Sequence, residues 1–282
     1  MQKSFVIVPD KEKSAYGLFV IRIFLGLVFF VFSWGESPSA ASEVEKKTIK
    51  LAFYEYGYLY NDGAGIDKDV VDELRIRSGR EFFFSVMARA RIWADLASGN
   101  LDMSVSGIQT PERDKFAWFA PYLSIKNYAV VHSSVSSSVK SANGFIARPG
   151  LQMGVVASFK HGTAQDEWIS ILRQAGRVQE SPDAETVFMK LKDQRVDAMF
   201  SQPPVYRKYL STLNMVEKVT IQDWTPSEKG VPHGLIISKH NFSEKEADKF
   251  REIIAGMKND GTLRKIFIKY LPESEADRML EF

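Results

Sequence analysis

From Thr48 onward, short apolar runs alternate with stretches whose apolar positions recur every three or four residues. Thr48 to Phe53 (TIKLAF) alternates and begins with a β-branched residue, which predicts a strand. Asp67 to Arg77 carries Val70, Val71, Leu74 and Ile76 at helical spacing and is closed by Gly79. Glu81 to Val86 predicts a strand, Ile92 to Ala97 a short helix and Leu101 to Val105 a strand. The second half repeats this grammar. Leu151 to Ala157 and Val196 to Phe200 predict strands, and Ala164 to Ala175 a helix. Asp183 to Asp193 predicts another helix, with Ser181 as N-cap and Pro182 in its first turn. Ser133 to Ser141 (SSVSSSVKS) reads as an exposed loop. Ser243 and Glu246 form a capping box for a helix through Met257, and Thr262 to Tyr270 predicts a last amphipathic helix. Strands alternating with helices imply an α/β fold of mainly parallel sheets, with ligand-facing loops at the strand carboxyl ends.

One internal echo is present. Leu96 to Ser106 (LASGNLDMSVS) and Leu191 to Ser201 (LKDQRVDAMFS) both run from helix end through a polar turn to an apolar residue, Asp, strand and Ser. Either any helix–turn–strand unit has this form, or two similar lobes face each other across a cleft.

The first forty residues follow a different pattern. Lys3, Lys11, Lys13 and Arg22 precede an apolar run of twelve residues, Ile23 to Trp34. That length suits the core of a secretory signal peptide and is short of the ~20 residues that span a bilayer. Ser39 and Ala41 fall at the −3 and −1 positions for cleavage after Ala41, so residues 1–41 are expected to be a signal peptide. The alternative is an uncleaved anchor over Leu18 to Trp34, with Arg22 snorkelling to the surface. The chain has no cysteine, which excludes lipoprotein processing, disulfide frameworks, thiolate metal sites and cysteine nucleophiles. A periplasmic location follows as the expectation.

Composition narrows the classes further. The 282 residues are 45% hydrophobic and 26% charged, ordinary globular values that fit about two domains. Lys and Arg number 37 against 35 Asp and Glu, and this balance argues against nucleic acid as a partner. The chain lacks GxSxG, Walker A, HExxH and a full dinucleotide fingerprint, and Gly63-x-Gly65 reads as a turn. Asp67, Asp69 and Asp72 read as helix N-terminal acids, not as a calcium loop. His132, His161, His233 and His240 show no metal-ligand spacing, so neither a metal nor a cofactor is expected.

Six segments carry a resemblance: Gly65-Ile66-Asp67-Lys68-Asp69-Val70, Gly99-Asn100-Leu101-Asp102, Thr110-Pro111-Glu112-Arg113, Phe119-Ala120-Pro121-Tyr122, Arg195-Val196-Asp197-Ala198 and Asp260-Gly261-Thr262-Leu263. In this order they resemble the extracytoplasmic solute-binding proteins that feed amino-acid ABC importers, over residues 47–271. The resemblance implies a two-lobed periplasmic binding protein fold, each lobe a mainly parallel sheet flanked by helices, joined by two hinge strands. Lobe 1 would comprise residues 42–125 and 239–282, and lobe 2 residues 126–238. The implied function is capture of a carboxylate-bearing polar solute and transient docking of a monomer to an inner-membrane ABC permease, without catalysis. The alternatives are a same-fold enzyme such as a cyclohexadienyl dehydratase, or delivery to a membrane receptor.

The resemblance also assigns roles. Thr110 and Pro111 open a short helix that sets Arg113 in its first turn, where a guanidinium fork suits a carboxylate. In the family this arginine takes the ligand's α-carboxylate. Ser106 is placed like a ligand-bonding serine or a plain strand-end serine. Tyr54, Tyr56 and Tyr58 follow the first strand, as ligand cover or as buried lobe-surface aromatics. Ser158, His161 and Thr163 lie in the loop before a helix, where Gly162-Thr163 offers backbone donors and an N-cap hydroxyl.

Two departures stand out. Gln202 occupies the position at which α-amino-acid binders usually carry an Asp for the ammonium group, and Glu55 is a possible substitute. Arg89 falls where those binders present an apolar or aromatic wall. It implies a second anionic group or a stacking partner on the ligand or, with Arg91, a solvated edge.

Overall fold

The computed structural model describes residues 48–282; the expected signal segment lies outside them. The chain starts with β1 (Ile49–Phe53), α1 (Ile66–Ser78), β2 (Phe82–Val86), α2 (Arg89–Ser98), β3 (Met103–Gly107) and β4 (Ala117–Ile125). After a two-residue crossing come β5 (Tyr128–His132), α3 (Ser133–Ser136), α4 (Ala142–Ile146), β6 (Met153–Val156), α5 (Thr163–Gln174) and β7 (Val178–Ser181). Then follow α6 (Ala184–Lys192), β8 (Ala198–Ser201), α7 (Pro203–Thr212) and β9 (Val219–Gln222). The chain returns through β10 (Val231–Ser238) and ends in α8 (Glu244–Asn259), α9 (Thr262–Phe267) and α10 (Glu273–Arg278).

Two five-stranded sheets result, ordered β2-β1-β3-β10-β4 and β7-β6-β8-β5-β9. Each has one reversed strand, β10 in the first and β5 in the second, set between strands that all run the same way. The sheets are therefore mixed, and the mainly parallel character is kept by four strands of five. In each sheet the reversed strand is the one that directly follows a crossing, β5 after β4 and β10 after β9. The echo finds a structural basis here: β3 and β8 each end their segment beside the reversed strand. Because β10 pairs with β3 and β4, the second crossing precedes Val231, and the boundary expected at residue 238 moves back by one strand.

Apolar burial holds both lobes. Leu51, Phe53, Met103 and Val105 of the first sheet are buried in one cluster with Val70, Val71 and Leu74 of α1 and Ile92 and Leu96 of α2. Each such side chain stabilises by about 1.5–3 kcal/mol. The second lobe packs Val131, Phe145, Met153, Ile169, Leu172 and Phe200 together. Pro121 is tolerated in β4 because that strand lies at the sheet edge, where a missing N–H breaks no ladder.

Local differences from the sequence reading have local causes. The serine-rich stretch is not a plain exposed loop: Ser133–Ser136 forms α3, Ser136 is buried, and Ser141 caps α4 by accepting from the Gly144 amide. Asp183, not Ser181, caps α6, because its carboxylate accepts from the Thr186 amide at 2.7 Å while Ser181 completes β7. The helix from Thr262 stops at Phe267, and α10 follows after Pro272.

Candidate functional site

The site forms where the carboxyl ends of β1 and β3 and the start of α2 meet the loop after β6. The short helix expected after Thr110 is a single 3-10 turn, Arg113–Lys115, which Arg113 begins. The Arg113 amide donates to the Thr110 carbonyl at 3.0 Å. Its guanidinium carbon lies 3.8 Å from the centroid of the Trp93 ring. Nη1 donates to the Ile108 carbonyl at 2.8 Å, and Nη2 to the Ser158 carbonyl across the cleft at 3.1 Å. Five N–H groups point from a guanidinium, so donors remain for a ligand. Burial, aided by the charge of Arg89, lowers the Arg113 pKa to about 9.

Arg89 is the first residue of α2 and is 3% exposed. Its guanidinium lies between the rings of Tyr54, at 4.4 Å, and Phe159 of the second lobe, at 4.7 Å, with Trp93 at 5.9 Å. None of its three nitrogens donates to a carbonyl or a carboxylate; its polar neighbour is the Tyr54 hydroxyl. The solvated-edge alternative holds for Arg91 alone, which is exposed and reaches Asp95 at 3.3 Å.

The predicted tyrosines divide. Tyr54 and Tyr56 are buried side by side, with Tyr56 packed on Phe159 at 5.2 Å across the cleft. Tyr58 faces away, toward Tyr270. The mouth of the cleft is a cavity of about 250 Å³ between Tyr54, Tyr56 and Arg89 on one side and Val156, Pro182 and Asp183 on the other. Glu55 lines it but accepts from Asn61 Nδ2 at 2.8 Å, so the local turn takes up its charge.

Ser106 is buried at the end of β3, yet its hydroxyl donates to Asp67 Oδ1 at 2.8 Å. Tyr122 Oη donates to the same oxygen at 2.6 Å and accepts from the Ser106 amide at 2.9 Å. Asp67, read from sequence as a helix-terminal acid, is thus the centre of a buried network beneath the cleft. Burial raises its pKa to about 7, against the pull of its two donors and of Arg89.

From the second lobe, Ser158 contributes its carbonyl while its side chain is exposed. His161 is buried against Phe159 and Phe200, with Nδ1 3.4 Å from Asp166, and desolvation lowers its pKa. Thr163 is exposed as the first residue of α5; the cap position is Gly162, so the expected N-cap hydroxyl is not formed. Gln202 stands at the N-terminal end of α7 without a side-chain cap bond, fully buried, with Nε2 3.0 Å from His233 Nε2. His233 Nδ1 is 2.7 Å from the Val231 carbonyl, and desolvation lowers its pKa to about 3. The neutral ring therefore donates from Nδ1 and accepts the Gln202 amide at Nε2, leaving Gln202 Oε1 without a donor.

Trp93, Phe159, Asp67, Tyr122 and His233 are the site residues that sequence reasoning missed. Among the described residues no cluster of acids and histidines could hold a metal ion. No described helix is long and apolar enough to cross a membrane.

Comparison with known proteins bears on the family and the fold. A family model described as bacterial extracellular solute-binding proteins, family 3, matches residues 48–273. The ABC transporter arginine-binding protein 1 of Escherichia coli (strain K12) is 26% identical over 254 residues, covering 89% of this chain and 99% of that protein. An ancestral arginine-binding protein solved with arginine superposes with a TM-score of 0.68 at 26% identity, covering 80% of this chain and 98% of the other. An ancestral amino acid-binding protein, a precursor of cyclohexadienyl dehydratase, matches at a TM-score of 0.65 and 23% identity, over 80% and 95% of the two chains.

Proposed function

Since the chain belongs to the bacterial extracellular solute-binding proteins, family 3, we propose that it captures a small carboxylate-bearing polar solute, an amino acid or a relative of one, between its lobes. The loaded protein then docks as a monomer on an inner-membrane ABC permease. Residues 1–41 direct it to the periplasm and are removed there. The binding cycle is a hinge motion about the two crossings, and no bond is made or broken.

The observation that carries this reading is the placement of Arg113. Its guanidinium is stacked on Trp93 and bonded to carbonyls of both lobes, so a carboxylate received there would be held as the lobes meet. Tyr54 and Tyr56 supply apolar cover, and Gln202 supplies a neutral acceptor.

Ligand-linked stability tests it. A ligand that binds only the native state adds RT ln(1 + [L]/Kd), about 2.7 kcal/mol at a hundredfold excess over Kd. The melting temperature of the mature protein is followed with the standard amino acids and small carboxylates. Arginine is the reference compound, because the Escherichia coli relative is named for it. At least one carboxylate is expected to raise the melting temperature, and Arg113→Ala to remove that shift. If every carboxylate leaves the melt unchanged, the assignment is wrong.

A further inference from the structure

Among the described residues three arginines are buried, and they differ in how their donors are used. Arg177, 7% exposed, gives Nε to the Leu151 carbonyl at 2.9 Å, Nη1 to Ile146 at 2.7 Å and Nη2 to Phe145 at 2.9 Å. Arg113 gives two nitrogens to carbonyls. Arg89, more buried than either, gives none to a carbonyl or a carboxylate, and only the neutral Tyr54 hydroxyl lies beside it as a polar group. A fully ionised group held out of water without a partner is strongly unfavourable, and buried charges are ordinarily paired.

The surroundings of Arg89 lack a paired counter-charge. The field of Arg89 reaches the carboxyl of Asp67, but its Oδ1 is occupied by Tyr122 and Ser106. Asp166 faces Lys160 at 3.9 Å and His161. His233 and His161 have lowered pKa values, and position 202 is a neutral amide. Arg89 and Arg113 stand over the same indole, Trp93, and each feels the other as a like charge. The slot between Tyr54 and Phe159 is filled by the Arg89 guanidinium itself. A cationic ligand side chain would meet neither space nor an opposite charge there.

Resting on the reading of the cleft as a carboxylate site, we infer that the solute is a small dicarboxylate, one carboxylate on Arg113 and the second on Arg89. Two anionic groups at fixed separation satisfy both guanidinium forks and cancel their repulsion. The unpaired Gln202 Oε1 accepts a hydroxyl or neutral N–H from the solute and leaves an ammonium unneutralised.

The test titrates the mature protein with succinate, glutarate, L-glutamine and L-arginine, in wild type, Arg89→Met and Arg89→Lys. Succinate or glutarate is expected to bind most tightly. Arg89→Met is expected to weaken that binding by on the order of 10- to 100-fold, the loss of a charge-assisted hydrogen bond. It is also expected to raise the melting temperature without ligand, which a misfolded variant would not do. Arg89→Lys keeps the charge without the fork and should fall between. L-Arginine or L-glutamine binding as tightly as the dicarboxylates, or Arg89→Met holding them within threefold, overturns the inference. If the two amino acids bind through Arg113 and the dicarboxylates do not, this inference alone fails. If none of the four binds, the carboxylate reading of the cleft fails with it.

Discussion

The guanidinium carbon of Arg113 stands 3.8 Å from the centroid of Trp93, a residue twenty positions earlier and on a different element. This contact fixes the fork that the 3-10 turn alone leaves free. Replacing Trp93 by Leu keeps apolar volume but removes the π face, worth ~0.5–2 kcal/mol. Trp93→Leu is therefore expected to weaken carboxylate binding by about two- to thirtyfold, measured by calorimetric titration. Unchanged affinity would mean that the ring only fills space.

Gly57 is a contact between lobes as well as a turn. Its φ is +63°, and a Cβ there would lie 2.6 Å from Val205 Cα and 2.7 Å from the Pro204 carbonyl oxygen of the second lobe. The adjacent Tyr58 amide donates to that same carbonyl at 2.8 Å. Gly57→Ala is expected to cost ~1–2 kcal/mol of stability through its left-handed backbone. It should also prevent full approach of the lobes, lowering ligand affinity at least about tenfold. Solution scattering with saturating ligand should then report a larger radius of gyration than in wild type.

Two buried groups make stability depend on pH in opposite directions. Asp67 keeps its proton up to about pH 7 in the fold and to about 3.8 otherwise, so its contribution is present below about pH 4 and lost as pH rises through 7. His233 takes up its proton only near pH 3 in the fold against 6.5 otherwise, so its contribution is present above 6.5 and lost as pH falls toward 3. His161, also lowered, acts with His233. The effects offset in the wild type. Urea unfolding across about pH 3 to 8 should show Asp67→Asn gaining stability as pH rises and His233→Gln losing it. The opposite slopes would contradict the assignment of these two groups as buried titrators.

A binder leaves its ligand intact. Incubation with prephenate or arogenate, monitored for an aromatic product, is expected to show no turnover above the buffer rate. Product formation dependent on Asp67 would move the protein to the enzymes of this fold, with that carboxyl as the acid.

Legibility in the sequence followed the range of the interaction. The capping box of α8 was readable because its two bonds close over three residues, Ser243 amide to Glu246 Oε2 at 2.9 Å and the reverse bond at 3.4 Å. The Thr110–Arg113 turn was readable for the same reason. The role of Asp67 was not, since its partners Ser106 and Tyr122 lie 39 and 55 residues away. Helix-terminal acids are common enough to hide such a residue. Trp93 looked like one more apolar position of a short helix, and only its place opposite Arg113 distinguishes it. Strand β10 escaped because Pro232, His233 and Gly234 interrupt its alternation, while its partners β3 and β4 lie more than a hundred residues earlier.

The central claim is that Arg113 receives a carboxylate in the cleft, and one calorimetric cycle tests it most directly. The carboxylate that gives the largest melting shift is compared with its primary amide, on wild type and on Arg113→Ala. The amide is expected to bind wild type on the order of 10- to 100-fold more weakly than the acid, and the two to bind Arg113→Ala alike. Equal binding of acid and amide by the wild type, or an undiminished preference for the acid in Arg113→Ala, would contradict it.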